Sequence, residues 1–129
     1  MKAITLYQPW ASLVSIGAKT IETRPLSTRY RGPLAIHAAK KAVPVDDPYY
    51  RNVISAAGLD YDELPCGVIL ATCNLVDCQK ITSANCPCYP EYAFSDFKPG
   101  LYAWKLMDIK PISAPIPARG YRGLWEIAF

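Results

Sequence analysis

Twelve prolines are spread along the 129 residues of this chain, about 9% against a usual ~5%. Proline fixes φ and removes a backbone donor, so this density disfavours long helices and suits short strands joined by irregular loops. Where helices do form, proline belongs at their first position, where the missing N–H costs nothing. Pro9 fits that place: Trp10, Leu13 and Val14 follow with helical spacing, and Gly17 supplies a stop, predicting two turns from Pro9 to Ile16. "VDDPYYRNVISAAGL" repeats the grammar. Asp46 or Asp47 caps, Pro48 comes first, Tyr49/Tyr50 and Val53/Ile54 make the apolar face, and Gly58 ends it.

The remaining segments read as strands. "KAITLY" opens the chain, "TIETRP" ends at Pro25, and "RGPLAIHAA" alternates Leu34, Ile36 and Ala38 against Ala35 and His37. "CGVILATCNLVDC" (Cys66 to Cys78) is the longest apolar run, expected as a central strand buried on both faces. "LYAWKLMDIKPI" alternates with period two, and Leu124 to Ala128 closes the chain after a glycine-punctuated loop. Gln79 to Gly100 is irregular. With 51% apolar and 19% charged residues the chain folds, and without a repeat or linker residues 1–129 are expected to form one domain. The expected class is mainly β (α+β): a small, partly open β-barrel of five to six strands, with two or three short helices plugging its ends.

Several function classes drop out. The longest apolar run falls short of a membrane-spanning helix, and Pro9 interrupts an N-terminus that lacks an apolar targeting segment. Five cysteines, an odd number, are read as reduced thiols in a cytoplasm. Cys86-x-Cys88 with Cys78, and Cys73 as a fourth ligand, hints at zinc but lacks paired C-x-x-C knuckles, so free thiols and no metal or cofactor are expected. A net charge of +3 permits a nucleic-acid partner without demanding one.

The chemistry concentrates after the first helix, in Lys19, Thr20, Glu22 and Arg24. A strand from Thr20 places Thr20, Glu22 and Arg24 on one face, and Lys19, in the turn before it, is free to swing over that face. Between two cations Glu22 suits an acceptor or general base better than a general acid. On spacing alone, a solvated strand face with cross-strand ion pairs competes with a site. His37, the single histidine, is either an acid–base group on a basic rim or, more commonly for such residues, a half-buried ring bonded to backbone. Lys40 and Lys41 end a strand and suit phosphate contacts. Trp104 and Trp125 read as core, whereas Trp10 is placed to stack on a base, with Tyr7 a weaker second. "ARGYRG" sets Arg119, Tyr121 and Arg122 among the glycines Gly120 and Gly123, as a basic-aromatic loop for nucleic-acid backbone or merely a turn.

Gln8-Pro9-Trp10, Gly17-x-Lys19, Glu22, Arg24, Arg31-Gly32 and Ile36-His37-Ala38, with a weaker echo in "ARGYRGLWEI", resemble the ASCH domain family. That family is a branch of the PUA-like group of RNA-associated barrels. The resemblance spans most of the chain, with its specificity in the first forty residues. It implies a cleft beside the first helix, lined by the polar G-x-K-x-x-E-x-R face, that takes RNA, a nucleotide or a modified nucleoside. Lys19 and Arg24 would then meet phosphate or carbonyl oxygens, and Glu22 would accept from a base amine or sugar hydroxyl. The full candidate binding set is Trp10, Lys19, Thr20, Glu22, Arg24, His37, Lys40, Arg119 and Arg122. Related small proteins hydrolyse acetylcytidine with a lysine, a threonine and a more distant glutamate. Lys19 matches that lysine, but Glu22 stands where the threonine would be, and Thr20 and Thr23 are out of register. RNA or nucleotide binding is the leading expectation. The alternative is a metal-independent amidohydrolase or ribonuclease with Lys19 and Glu22 as catalytic residues, and the third reading is an interaction module with a vestigial cleft.

Overall fold

A computed structural model describes residues 1–41, 47–88 and 91–128, side chains at 49, 50, 92 and 93 excepted. Six strands make one sheet: β1 (Lys2–Leu6), β2 (Ile21–Arg24), β3 (Gly32–Ala38), β4 (Val68–Lys80), β5 (Tyr102–Pro117) and β6 (Trp125–Glu126). Their spatial order is β2-β5-β4-β3-β1-β6. Neighbours are antiparallel except β1 and β3, which run parallel, with the chain crossing between them through α1 (Trp10–Ser15) and β2. α2 (Pro48–Ala56) and two 3-10 turns, Tyr61–Glu63 and Glu91–Phe94, complete the described elements.

The helices lie where proline-first, glycine-last grammar puts them, with Gly17 and Gly58 at φ +80° and +88° just beyond the ends. Of the features expected around α2, Asp46 and the side chains of Tyr49 and Tyr50 lie outside the described residues. α1 begins at Trp10, one residue later than expected, so Pro9 stands at the N-cap rather than at the first helical position, and the side-chain bond to the helix end comes from Gln8. The fully buried Gln8 accepts from the Ser12 N–H at 3.0 Å and donates to the Ser12 hydroxyl and the Pro65 carbonyl, both at 2.7 Å. It thereby satisfies a helix-terminal donor and ties the helix to the chain entering β4.

β3 is buried on both faces from Leu34 to Ala38. Leu34, Ile36 and Ala38 join the main core with Ile4, Val14 and Leu106, while Ala35 packs on the opposite side with Ala3, Ile69 and Trp125. β4 is likewise buried on both faces over Ile69, Leu70 and Ala71, as its apolar run predicts. Proline content did not keep the strands short: β5 runs for 16 residues through Pro111, Pro115 and Pro117. β2 pairs with β5 only over Tyr102–Lys105, so the later prolines lie where β5 has a single described neighbour and fewer donors are needed. Register shifts against β4 and a left-handed Asp108 (φ 53°) bend this half of the strand.

The expected barrel is not closed by a ladder. Among the described residues nothing pairs β2 with β1 or β6, because β2 offers four residues and β6 only two. The gap is spanned instead by a side chain: Arg24 Nη2 on β2 donates to the Thr5 carbonyl on β1 at 3.1 Å.

Candidate functional site

Lys19 is fully buried between α1 and β2. Its Nζ donates to the carbonyls of Ile21 (2.6 Å) and Phe94 (2.9 Å) and to the Ser95 hydroxyl, which employs all three ammonium hydrogens. Glu22 Oε1 lies 3.5 Å away. Burial pushes the ammonium below the usual lysine range, and the charges of Glu22 and Glu91 pull it back up. Thr20, the next residue, gives both its N–H and its hydroxyl to Glu91 Oε1 at 2.6 Å. Lys19 therefore does not swing over the polar face. It and Thr20 fasten the start of β2 to the 3-10 turn Glu91–Phe94.

The face continues outward through Glu22 to Arg24. Glu22 Oε2 lies 3.2 Å from Arg24 Nε, an ion-pair distance without the alignment of a hydrogen bond. Beyond its bond to Thr5, the Arg24 guanidinium sits 5.7 Å from the centroid of Trp104, whose Nε1 donates to the Leu26 carbonyl at 3.1 Å. Arg24 is thus held at one edge by a carboxylate, at another by a carbonyl, and on its face by an indole.

Arg24 also borders a cleft of about 1620 Å³, open between residues 24–28, the ends of β1 and β3, and residues 117–124. The lining carries Arg24, Lys40, Arg119 and Arg122 and, among the described residues, no Asp or Glu. Tyr7 and Tyr121 stand at it 56% and 55% exposed. Arg119 lies over the Tyr121 ring at 5.4 Å.

His37 is the floor of this cleft, 1% exposed. Its Nε2 is 2.7 Å from the Ala118 carbonyl, which can only accept, so Nε2 carries the proton. Nδ1 lies 3.1 Å from Thr5 Oγ1, which itself accepts from Trp125 Nε1 at 3.0 Å. The ring meets Trp125 edge-on at 5.5 Å. Here the structural role expected of a half-buried histidine is met by an almost wholly buried one.

The predicted set therefore divides. Arg24, His37, Lys40, Arg119 and Arg122 share the cleft, whereas Lys19, Thr20, Glu22 and Trp10 do not line it. Trp10 packs instead against the Leu13–Val53–Phe94 cluster beneath α1 and α2. A family model of the ASCH domain matches residues 4–114. The chain belongs to the ASCH family. ASCH domains are PUA-like and often bind RNA. No curated protein matches the chain.

In this ASCH domain the cleft draws on two sources. Arg24, Lys40 and His37 fall within the matched residues, while Arg119, Tyr121 and Arg122 lie beyond them. Sequence reasoning missed Thr5, Glu91 and Ser95. The partners of Glu91 and Ser95 are over seventy residues away, so no local spacing could have shown them. Gly120 carried a usable signal as one of the glycines flanking a basic-aromatic pair. Cys86 and Cys88 are exposed and Cys78 is half-buried on β4, and among the described residues no three His, Cys, Asp or Glu side chains group as metal ligands.

Proposed function

We propose that this ASCH domain binds RNA or a nucleotide-like ligand in the cleft between Arg24, Lys40 and residues 118–123. The observation that carries this reading is the charge of the lining: four cationic side chains and no described carboxylate. Such a surface neutralises phosphates and releases their counterions on binding. Tyr7 and Tyr121 add exposed aromatic faces on which unpaired bases can stack. The curled sheet, bridged by Arg24, is read as an open version of the PUA-like barrel, and five free thiols suit a cytoplasmic setting.

Catalysis by Lys19 and Glu22 has less support. Lys19 has no hydrogen left to donate, and Glu22 stands behind Arg24 rather than on the cleft wall. Binding of a labelled single-stranded RNA pool, measured between about 50 and 200 mM salt, tests the proposal. Affinity should fall steeply with salt and collapse in the combined variant Lys40→Ala, Arg119→Ala, Arg122→Ala. Salt-independent binding, or a triple variant that binds like wild type, would refute it. Turnover of acetylcytidine that Glu22→Gln abolishes would instead establish the hydrolase.

A further inference from the structure

We infer that Glu22 is a positioning residue: it never meets the ligand, but turns the Arg24 guanidinium so that its free edge faces the cleft. The inference rests on the RNA-binding reading and assigns Glu22 a different part from general base.

The geometry forms a relay from the protein interior to the cleft. The carbonyls of Ile21 and Phe94 and the Ser95 hydroxyl fix Lys19, and Lys19 holds one oxygen of Glu22. The other oxygen of Glu22 meets Arg24 Nε. Thr5 O takes one hydrogen of Nη2, and Trp104 lies against the plane. Of the five guanidinium hydrogens, one on Nη2 is bonded to Thr5, the one on Nε is in ion-pair contact with Glu22 without a hydrogen bond, and those on Nη1 and the second on Nη2 have no described partner; Arg24 lines the cleft while Glu22 does not. An arginine held this way grips an anion without first losing side-chain freedom, and its fork suits a phosphate where a lysine would offer a point charge. The Glu22 side chain is 14% exposed, so water does little to weaken its pull on Arg24.

Charge alone predicts the opposite result, which makes the inference testable. A carboxylate near an anion site repels the ligand, so removing its charge should tighten binding if Glu22 were only a charge. If Glu22 positions Arg24, removing it should weaken binding. The experiment is equilibrium binding of a fluorescein-labelled single-stranded RNA 12-mer across a salt series by wild type, Glu22→Gln, Arg24→Ala and the double variant. Glu22→Gln is expected to weaken binding about tenfold and to flatten the logarithmic salt slope by ~0.7, one phosphate contact on a single strand. The double variant should bind no more weakly than Arg24→Ala, because two residues acting as one unit are not additive.

If Glu22→Gln binds as well as wild type or better while Arg24→Ala is weakened, the positioning role is wrong and the RNA reading survives. Additive losses in the double variant likewise overturn it. If Arg24→Ala binds like wild type, there is no Arg24 contact for Glu22 to position and this inference falls while the RNA reading stands; if wild type does not bind, the RNA reading falls and takes this inference with it. Should Glu22→Gln fail to fold, Glu22→Asp keeps the charge but withdraws it from Arg24, and wild-type affinity in that variant overturns the role. The Arg24 Nε–H resonance in 1H–15N spectra gives a readout without ligand. Nε is buried and in ion-pair contact with Glu22, so its chemical shift should move in Glu22→Gln, and an unchanged shift in the variant also overturns the role.

Discussion

Gly120 passes so close to His37 that a Cβ added to it would stand 2.7 Å from the imidazole Cε1 and Nδ1, and equally close to Thr5 Oγ1. The loop bearing Arg119 and Arg122 is thus seated on the floor of the cleft, its Ala118 carbonyl bound to the same ring. Gly120→Ala should force apart a buried, fully bonded contact and cost roughly 1–3 kcal/mol. RNA affinity should fall with it, as both arginines move from their places at the cleft. Denaturant unfolding checks the first effect and RNA titration the second. Wild-type stability in the variant would show that the loop is not seated as described.

Lys19→Met should be among the most damaging single changes in the chain. It leaves the Phe94 carbonyl without its described partner, reduces the Ile21 carbonyl and the Ser95 hydroxyl to the 3.3 Å bond between them, and leaves Glu22 with one cation instead of two. Breaking a buried charge pair from one side typically costs about 3–5 kcal/mol. Urea unfolding measures this directly. A loss under about 1 kcal/mol would mean that the bonds around Nζ contribute little.

These contacts explain which parts of the fold could be read in advance. The Pro9-to-Gly17 helix and β3 were legible because their signals are local, a punctuated period of 3.6 and an alternation of two. The G-x-K-x-x-E-x-R stretch was legible as a polar cluster, but its contacts were not. Lys19 looked mobile because its three acceptors come from Ile21, two residues away and on backbone, and from Phe94 and Ser95 in a stretch with no periodicity. The length of β5 was hidden for a related reason. Proline is costly in a strand only where a neighbour needs its N–H, and neighbours belong to topology. Arg24 could be named as a candidate from its place in the motif, yet its bond across to β1 depends on the curl of the whole sheet.

Cys73 makes stability fall at alkaline pH. Burial pushes its thiol up from 9.0 to about 12, so between those values the unfolded chain has lost a proton that the folded one keeps. Stability present below pH 9 is therefore lost as pH rises, by up to about 1.4 kcal/mol per unit from this group. Urea midpoints at successive pH values above 9 should decline less in Cys73→Ala than in wild type. Equal declines would assign the alkaline loss to other groups. At pH 8, iodoacetamide should modify the exposed Cys86 and Cys88 well before the buried Cys73.

Tyr121 separates stacking from phosphate contact. The ring is 55% exposed at the cleft, carries Arg119 across its face at 5.4 Å and meets Trp125 at 5.5 Å. A stacked base contributes about 1–3 kcal/mol without releasing counterions. Tyr121→Leu should thus weaken single-stranded RNA binding by that amount while leaving the dependence on salt unchanged. Arg122→Ala should lower the salt slope as well, because it removes a charge from the backbone track. Measuring both variants on a single strand and on a duplex of the same sequence sharpens the contrast. The duplex keeps its bases paired, so Tyr121→Leu should matter only for the single strand. If Tyr121→Leu flattens the salt slope as Arg122→Ala does, the tyrosine acts through its hold on Arg119 and not by stacking.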